Sequence, residues 1–327
     1  MKKGKWKSIL GALIIAASAV LSGCGQTRMM FGTGGTAGTY YAYGGVLAQY
    51  ISNNSDARVT AVSSGGSKVN IQSIQDGDFQ MGFTQSDVCA YAWNGTKAFG
   101  DDGPTHDFRV LGALYNETVQ LISMNPDIKS VEDLRGKRVS IGEAGSGVYF
   151  NALEVLEAEG LGIDDIKPQY QSFDASKDAL KDGMIDAAFI VAGTPTPAIT
   201  ELATTNGVSF IPIDGTLLDT LLTQHSYYCA QTIPAGTYPG QMQAIQTISV
   251  EATIIVSASL PEDLVYQMTA AIFDHIDEIS AENAKGAELS VETAAGVKAA
   301  PFHTGAARYY REHGIDVETL DPSDDTL

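Results

Sequence analysis

The stretch GTGGTAGTYY (residues 32–41) and its counterpart GEAGSGVYF (residues 142–150) decide how the chain is read. Each closes a short apolar run and opens a helical pattern, so each should present unsatisfied backbone N–H groups to one spot in space. A second echo, DGDFQMGF (76–83) against DGMIDAAF (182–189), follows in the same order at a similar offset of a little over one hundred residues. That period is too long for a solenoid and suits two duplicated α/β lobes. Working outward, the first half reads as strand (Met29–Phe31), helix (Tyr43, Val46, Leu47, Tyr50 and Ile51), strand (Arg58–Val62), helix (Val69–Ile74) and strand (Met81–Phe83). The second half repeats this with a helix over Asn151–Glu159, a strand over Gln169–Phe173, a helix over Ser176–Lys181 and a strand over Ala187–Val191. Such alternation predicts a parallel sheet covered by helices. Strands over Arg109–Leu114 and Val119–Met124 flank Tyr115-Asn116-Glu117, which reads as a hinge. Thr253–Val256 reads as a late strand, and Ser259 with Glu262 as a capping box for the following helix.

The first 23 residues stand apart. Lys2, Lys3, Lys5 and Lys7 precede an apolar run from Ile9 to Val20, too short to span ~30 Å of hydrocarbon, as in an export signal. Leu21-Ser22-Gly23-Cys24 resembles a bacterial lipobox, which implies cleavage and lipidation at Cys24 and a tether over 24–30. Ordinary secretion is the alternative. Of 327 residues 44% are hydrophobic, ordinary for a folded soluble chain. Loss of the four leader lysines takes the formal charge from −19 to −23. No basic cluster remains to hold a phosphate backbone, so nucleic acid is not an expected partner. Cys89 and Cys229 are read equally as one disulfide or as two separate thiols.

The chemistry these residues allow is capture rather than catalysis. GTGGTA fits a dinucleotide fingerprint, yet the second strand ends at Val62-Ser63-Ser64 without the carboxylate that a ribose requires. Neither glycine segment carries Gly-Lys-Ser/Thr, and there is no GxSxG or HExxH, so neither an enzyme nor a cofactor is expected. Neutral donors abound instead: Thr33, Thr36, Thr39 and Tyr40 on one cradle, Ser146, Gly147 and Tyr149 on the other, with Ser64, Ser67 and Asn70 at a third junction. Gln85, Asp87 and Glu117 supply acceptors at strand ends and the hinge. The expected ligand is small, polar and anionic or zwitterionic.

GTGGTAGTYYAYGGVLAQYI (32–51), SSGGSKVNIQSIQDGDFQMGFTQSDV (63–88), ALYNETVQLI (113–122), SVEDLRGKRVSIGEAGSGV (130–148) and IPAGTYPGQ (233–241) together resemble the TAXI family, the solute receptors of tripartite ATP-independent periplasmic (TRAP) transporters. The resemblance implies a two-lobed type II periplasmic-binding-protein fold, lobe I from 31–115 plus about 250–327 and lobe II from 116–249. It implies an extracytoplasmic, lipid-anchored receptor that captures glutamate, glutamine or a related carboxylate for membrane subunits driven by an ion gradient. By motif position it implies Thr36, Thr39, Tyr40, Ser64, Gly66, Ser67, Gln85, Ser86, Asp87, Ser146 and Gly147 as solute-facing, and Thr194 by the internal echo. Val148, Tyr149 and Phe150 depart from the family pattern after Gly-Ser-Gly, which leaves a keto acid or other dicarboxylate open as solute. A sensor input protein or an exported enzyme on the same scaffold remain the competing readings.

Overall fold

The computed structural model describes residues 26–320. The expected leader, Cys24 and residues 321–327 lie outside the described residues. The first half runs β1 (Thr27–Gly32), α1 (Thr39–Asn54), β2 (Ala57–Val62), α2 (Ser67–Gln75), β3 (Met81–Gln85) and α3 (Ser86–Asn94). β4 (Phe108–Ser123) then leads to β5 (Arg138–Ser140), α4 (Gly147–Ala158), β6 (Lys167–Gln169), α5 (Phe173–Lys181), β7 (Ala187–Ala192) and α6 (Pro197–Thr205). The chain continues through β8 (Ser209–Ile211), α7 (Gly215–Gln224), β9 (Cys229–Ile233) and the long β10 (Ile245–Ser257). It closes with α8 (Glu262–Phe273), α9 (Ile276–Glu282), α10 (Val291–Ala295) and α11 (Thr304–Glu312).

The internal echo is a topological one. β1 pairs in parallel with β2 and β3, and β5 pairs in parallel with β6 and β7, so both halves show the same strand order around the same βαβαβα path. The middle strand of each unit, β1 or β5, is followed by a glycine loop and a helix that buries an apolar stripe: Tyr43, Leu47 and Ile51 on α1, Ala152, Val155 and Leu156 on α4. β3 and β7 are buried along their whole length, as strands covered on both faces must be.

Two antiparallel strands join the halves. The full path is β2-β1-β3-β10-β4-β7-β5-β6, with β8 on β4 and β9 on β10. One core draws on Met29–Tyr115 and returns through Ala252–Tyr310, whereas two others, on either face of the second sheet region, draw on residues between Val119 and Val250. The result is an α/β fold of two lobes.

Three local expectations need correction. Tyr115-Asn116-Glu117 does not interrupt a strand: β4 is continuous, because β10 pairs with it from Phe108 to Thr118 and satisfies the backbone across the polar residues. The crossing is marked instead by a register shift between Ala252 and Thr253, opposite Tyr115 and Ala113. The strand expected to reach Phe173 stops at Gln169, which frees 170–172 as a loop. Ser259 and Glu262 form no capping box. Pro261 stands at the N-cap of α8, the Ser259 N–H turns to Ser257 Oγ, and Glu262 pairs with Arg308 at 3.0 Å. Cys89 is buried and Cys229 exposed, both free thiols, which decides between the two readings left open above.

Candidate functional site

Parallel βα junctions deliver helix N-termini to one edge of a sheet, and the duplicated topology brings two such edges face to face. α1 begins after Gly38, α2 after Gly66, α4 after Ser146 and α5 after Ser172, and all four caps line a single cavity of ≈ 60 Å³ between the lobes. Gly66 holds φ +95°, open to glycine without strain, and faces Ser146 across the cleft at 3.7 Å from where its own Cβ would lie. The lobes touch around the rim. Lys68 N–H donates to Gly145 O at 3.1 Å, and Thr39 Oγ1 donates to Gly193 O at 3.2 Å.

Of the residues singled out from sequence, Thr39, Tyr40, Gly66, Ser67, Gln85, Glu117, Ser146 and Gly147 line this cavity. Thr36 and Ser64 line an adjoining outer groove of ≈ 260 Å³ that shares Gly35, Glu143, Ser172 and Phe173 with it. There Thr36 Oγ1 donates to Asp174 Oδ2 at 3.4 Å, and Ser64 Oγ accepts the Gly66 N–H while bonding Asn70. Ser86 is turned away and accepts the Glu251 N–H at 3.2 Å. Tyr149 packs its ring on Phe150 and Tyr170, and Thr194 sits half-buried between β7 and α6, outside both spaces. The inner cavity adjoins the outer groove, so a solute too large for it extends into that groove or parts the lobes.

Glu143, Gln171, Ser172 and Phe173 also line the cavity and were missed. The signal was available: Gln171-Ser172 follows β6 as Gly65-Gly66 follows β2, so the internal repeat carried to its second junction would have found them. Val148, Phe173 and Val191 make one wall apolar.

The polar wall carries unspent groups. Tyr40 Oη, Gln85 Oε1 and Gln171 Oε1 are buried without a hydrogen-bond partner, a costly condition unless something completes them. The Tyr40 ring is fixed by stacking on Phe83 at 4.4 Å. Its hydroxyl lies near Glu117 and Ser67 without forming a well-aligned bond to either, and burial, then the Glu117 charge, keeps it a neutral phenol. Ser146 is already committed, its hydroxyl capping the Tyr149 N–H at 3.3 Å and donating to Glu143 O at 2.7 Å. Glu117 is 2% exposed, accepts from Tyr115 Oη at 3.3 Å, and is pushed up to about 8 by burial, against the lowering effect of the neighbouring Tyr40, Gln85 and Tyr115 polar groups. No lysine or arginine lines the cavity among the described residues. Positive potential there comes from the four helix N-termini, each worth ~0.3–2 kcal/mol toward an anion.

Asp87 lies beneath this site in a network that crosses the cleft. Asn151 on α4 donates Nδ2 to Asp87 Oδ2 (2.8 Å) and to Tyr228 Oη (3.0 Å). Tyr228, Tyr227 and Tyr91 all donate to Glu154, at 2.6, 2.8 and 2.8 Å, and Lys97 pairs with it. Burial pushes Asp87 up to about 7, with the Glu154 charge adding to it. For Glu154 burial also opposes ionisation, but Lys97 and the tyrosine hydroxyls outweigh it and hold the carboxyl below the ordinary value. Replacing Glu154 by Leu leaves three tyrosine hydroxyls without their acceptor, so a loss of about 3 kcal/mol is expected in urea unfolding. A change under 1 kcal/mol would show that water replaces the carboxylate freely.

A family model described as NMT1-like matches residues 31–314. The chain belongs to the NMT1-like family. Solved structures similar to this NMT1-like chain include a putative L-cystine ABC transporter protein from Listeria monocytogenes, with TM-score 0.51 and 17% identity over 81% of this chain and 98% of that one. PhnD1 from Prochlorococcus marinus, solved with methylphosphonate, gives TM-score 0.51 and 12% identity over 76% and 85%. An ancestral arginine-binding protein bound to arginine gives 0.50 and 15% over 78% and 97%. The likeness is one of fold, the two-lobed type II periplasmic-binding-protein architecture.

Proposed function

We propose that this NMT1-like chain is an extracytoplasmic solute-binding receptor, held to the membrane by lipid on Cys24, that closes on a small carboxylate or amino acid and passes it to a membrane transporter. The observation that carries the reading is the convergence of four helix N-termini and three unpartnered buried polar atoms on one cavity between lobes. Such a site binds an anionic or zwitterionic headgroup through main-chain and neutral side-chain groups. The proposed lobe boundaries, after residue 115 and near 250, place both crossing strands at the floor of the cleft, where bending of β4 and β10 moves one lobe on the other. The motifs shared with TAXI receptors support membrane subunits of the ion-driven TRAP type. An ABC-type partner is the second reading, favoured by the fold shared with the Listeria protein.

Glutamate, glutamine or 2-oxoglutarate at one hundred times Kd should stabilise the protein by about 2.7 kcal/mol and raise Tm by roughly 4 °C. A panel of small carboxylates and amino acids without any shift would reject the ligand class. The bound compound should be recovered unchanged, which separates a receptor from an enzyme. Uptake in reconstituted vesicles that follows an ion gradient without ATP assigns the TRAP partner, and uptake that requires ATP assigns the other.

A further inference from the structure

The receptor reading leaves two solute chemistries, an amino acid or the oxo acid of the same skeleton, and one side chain distinguishes them. We propose that Glu117 selects for a solute bearing an ammonium group by acting as its counter-ion inside the cavity, so that an α-amino acid is taken in preference to the matching oxo acid. The inference rests on the receptor function proposed above.

Glu117 stands at the lobe crossing on β4, lines the cavity and is almost wholly buried. The groups that face it are short of positive charge on every side. Tyr40 approaches from α1 and Tyr115 from β4 itself, both neutral, and Asp87 on α3 is an acid; Glu251 on β10 pairs with Asn116 and so points to the other face of the sheet. Glu143 joins the lining from the loop before α4. Lys285, from the turn after α9, packs its stem against Gly193, sets its ammonium 5.6 Å from the Tyr115 ring centroid and is paired with Glu288. A buried carboxylate without a cation is costly, and burial accordingly keeps Glu117 protonated near neutral pH.

The acceptors around it complete an ammonium site. Gln85 Oε1 and Gln171 Oε1, both unpartnered, line the same cavity, while the N-termini of α1, α2, α4 and α5 take the carboxylate of the same headgroup. When an ammonium enters, the Glu117 proton leaves to solvent and the carboxylate pairs with the incoming charge. An oxo acid brings no cation, so Glu117 keeps its proton and serves only as a neutral donor.

Isothermal titration of the full protein with L-glutamate, L-glutamine and 2-oxoglutarate, from pH 6 to pH 8 in buffers of different protonation enthalpy, tests this. For either amino acid, Kd should tighten about 50-fold from pH 6 to pH 8, with close to one proton released at the acid end. 2-Oxoglutarate should bind more weakly than glutamate and lose affinity as pH rises. Glu117→Gln should abolish both the pH slope and the proton release for amino acids. The wild-type profile decides the matter even if that variant folds poorly. Amino-acid affinity that is flat with pH, or 2-oxoglutarate binding at least as tightly as glutamate at pH 8, overturns the selection by Glu117 and leaves the receptor standing. Failure of all three to bind removes the ligand class, and this inference with it.

Discussion

Gly147→Ala is expected to abolish solute capture while leaving both lobes folded. Gly147 opens α4, where alanine is a better helix former than glycine, so lobe II itself loses nothing. A Cβ there would lie 1.6 Å from Gln85 Oε1, 2.3 Å from its Cδ and 3.1 Å from Ser67 Oγ, all in the opposite lobe. The Gln85 amide is the end of a flexible side chain, but it is 2% exposed and can retreat only into the cavity or by parting the lobes. Either movement removes the site. Affinity should fall at least ~100-fold, about 2.7 kcal/mol, with the ligand-free Tm unchanged within a few degrees. Calorimetry and small-angle scattering with and without solute check this. Wild-type affinity with normal compaction would mean that the lobes need not meet at Gly147 for binding.

The second large effect is a stability that declines with pH in the absence of ligand. Burial raises Glu117 from 4.5 to about 8 and Asp87 from 3.8 to about 7, so the folded state binds more protons than the unfolded state between these limits. Their contribution is fully present below about pH 4 and is lost as pH rises to about 8. The Glu117 shift alone corresponds to about 4 to 5 kcal/mol, since each unit is worth about 1.4 kcal/mol. Glu117→Gln, which keeps the shape and cannot ionise, should therefore be more stable than the wild type at pH 8.5 by several kcal/mol and nearly equal to it at pH 4.5. Urea unfolding across that range reads the difference directly. Parallel pH profiles for wild type and variant would place the ionised carboxylate at no cost, contrary to its burial.

Local periodicity carried much of the architecture. The glycine loops, the helices behind them and the order of both halves follow from residues within a few turns of each other, because a parallel sheet covered on both faces demands apolar strands alternating with amphipathic helices. The cavity was half legible for the same reason: a helix N-terminus is a local feature, so Thr39, Tyr40, Ser67 and Gly147 could be read as residues at helix starts that line a common space. Gln171 and Phe173 were obscured because Gln169–Phe173 reads as one strand, whereas β6 ends at Gln169. Whether a given Ser or Thr is free or spent was not legible at all, since Ser64 and Ser86 are satisfied by Asn70 and by the Glu251 N–H, from other elements.

The sequence by itself determined the duplicated α/β path, the neutral donor-rich junctions and the exclusion of nucleotide-binding and hydrolase motifs, all of which depend on spacing along the chain. Only the tertiary structure decided that β4 passes unbroken between lobes, that Asp87 belongs to a cross-cleft network with Asn151 and Glu154, and that Glu117 stands buried without a cation. Those facts depend on which distant groups share a dry interior, and electrostatic cost is set by that company rather than by neighbours in sequence.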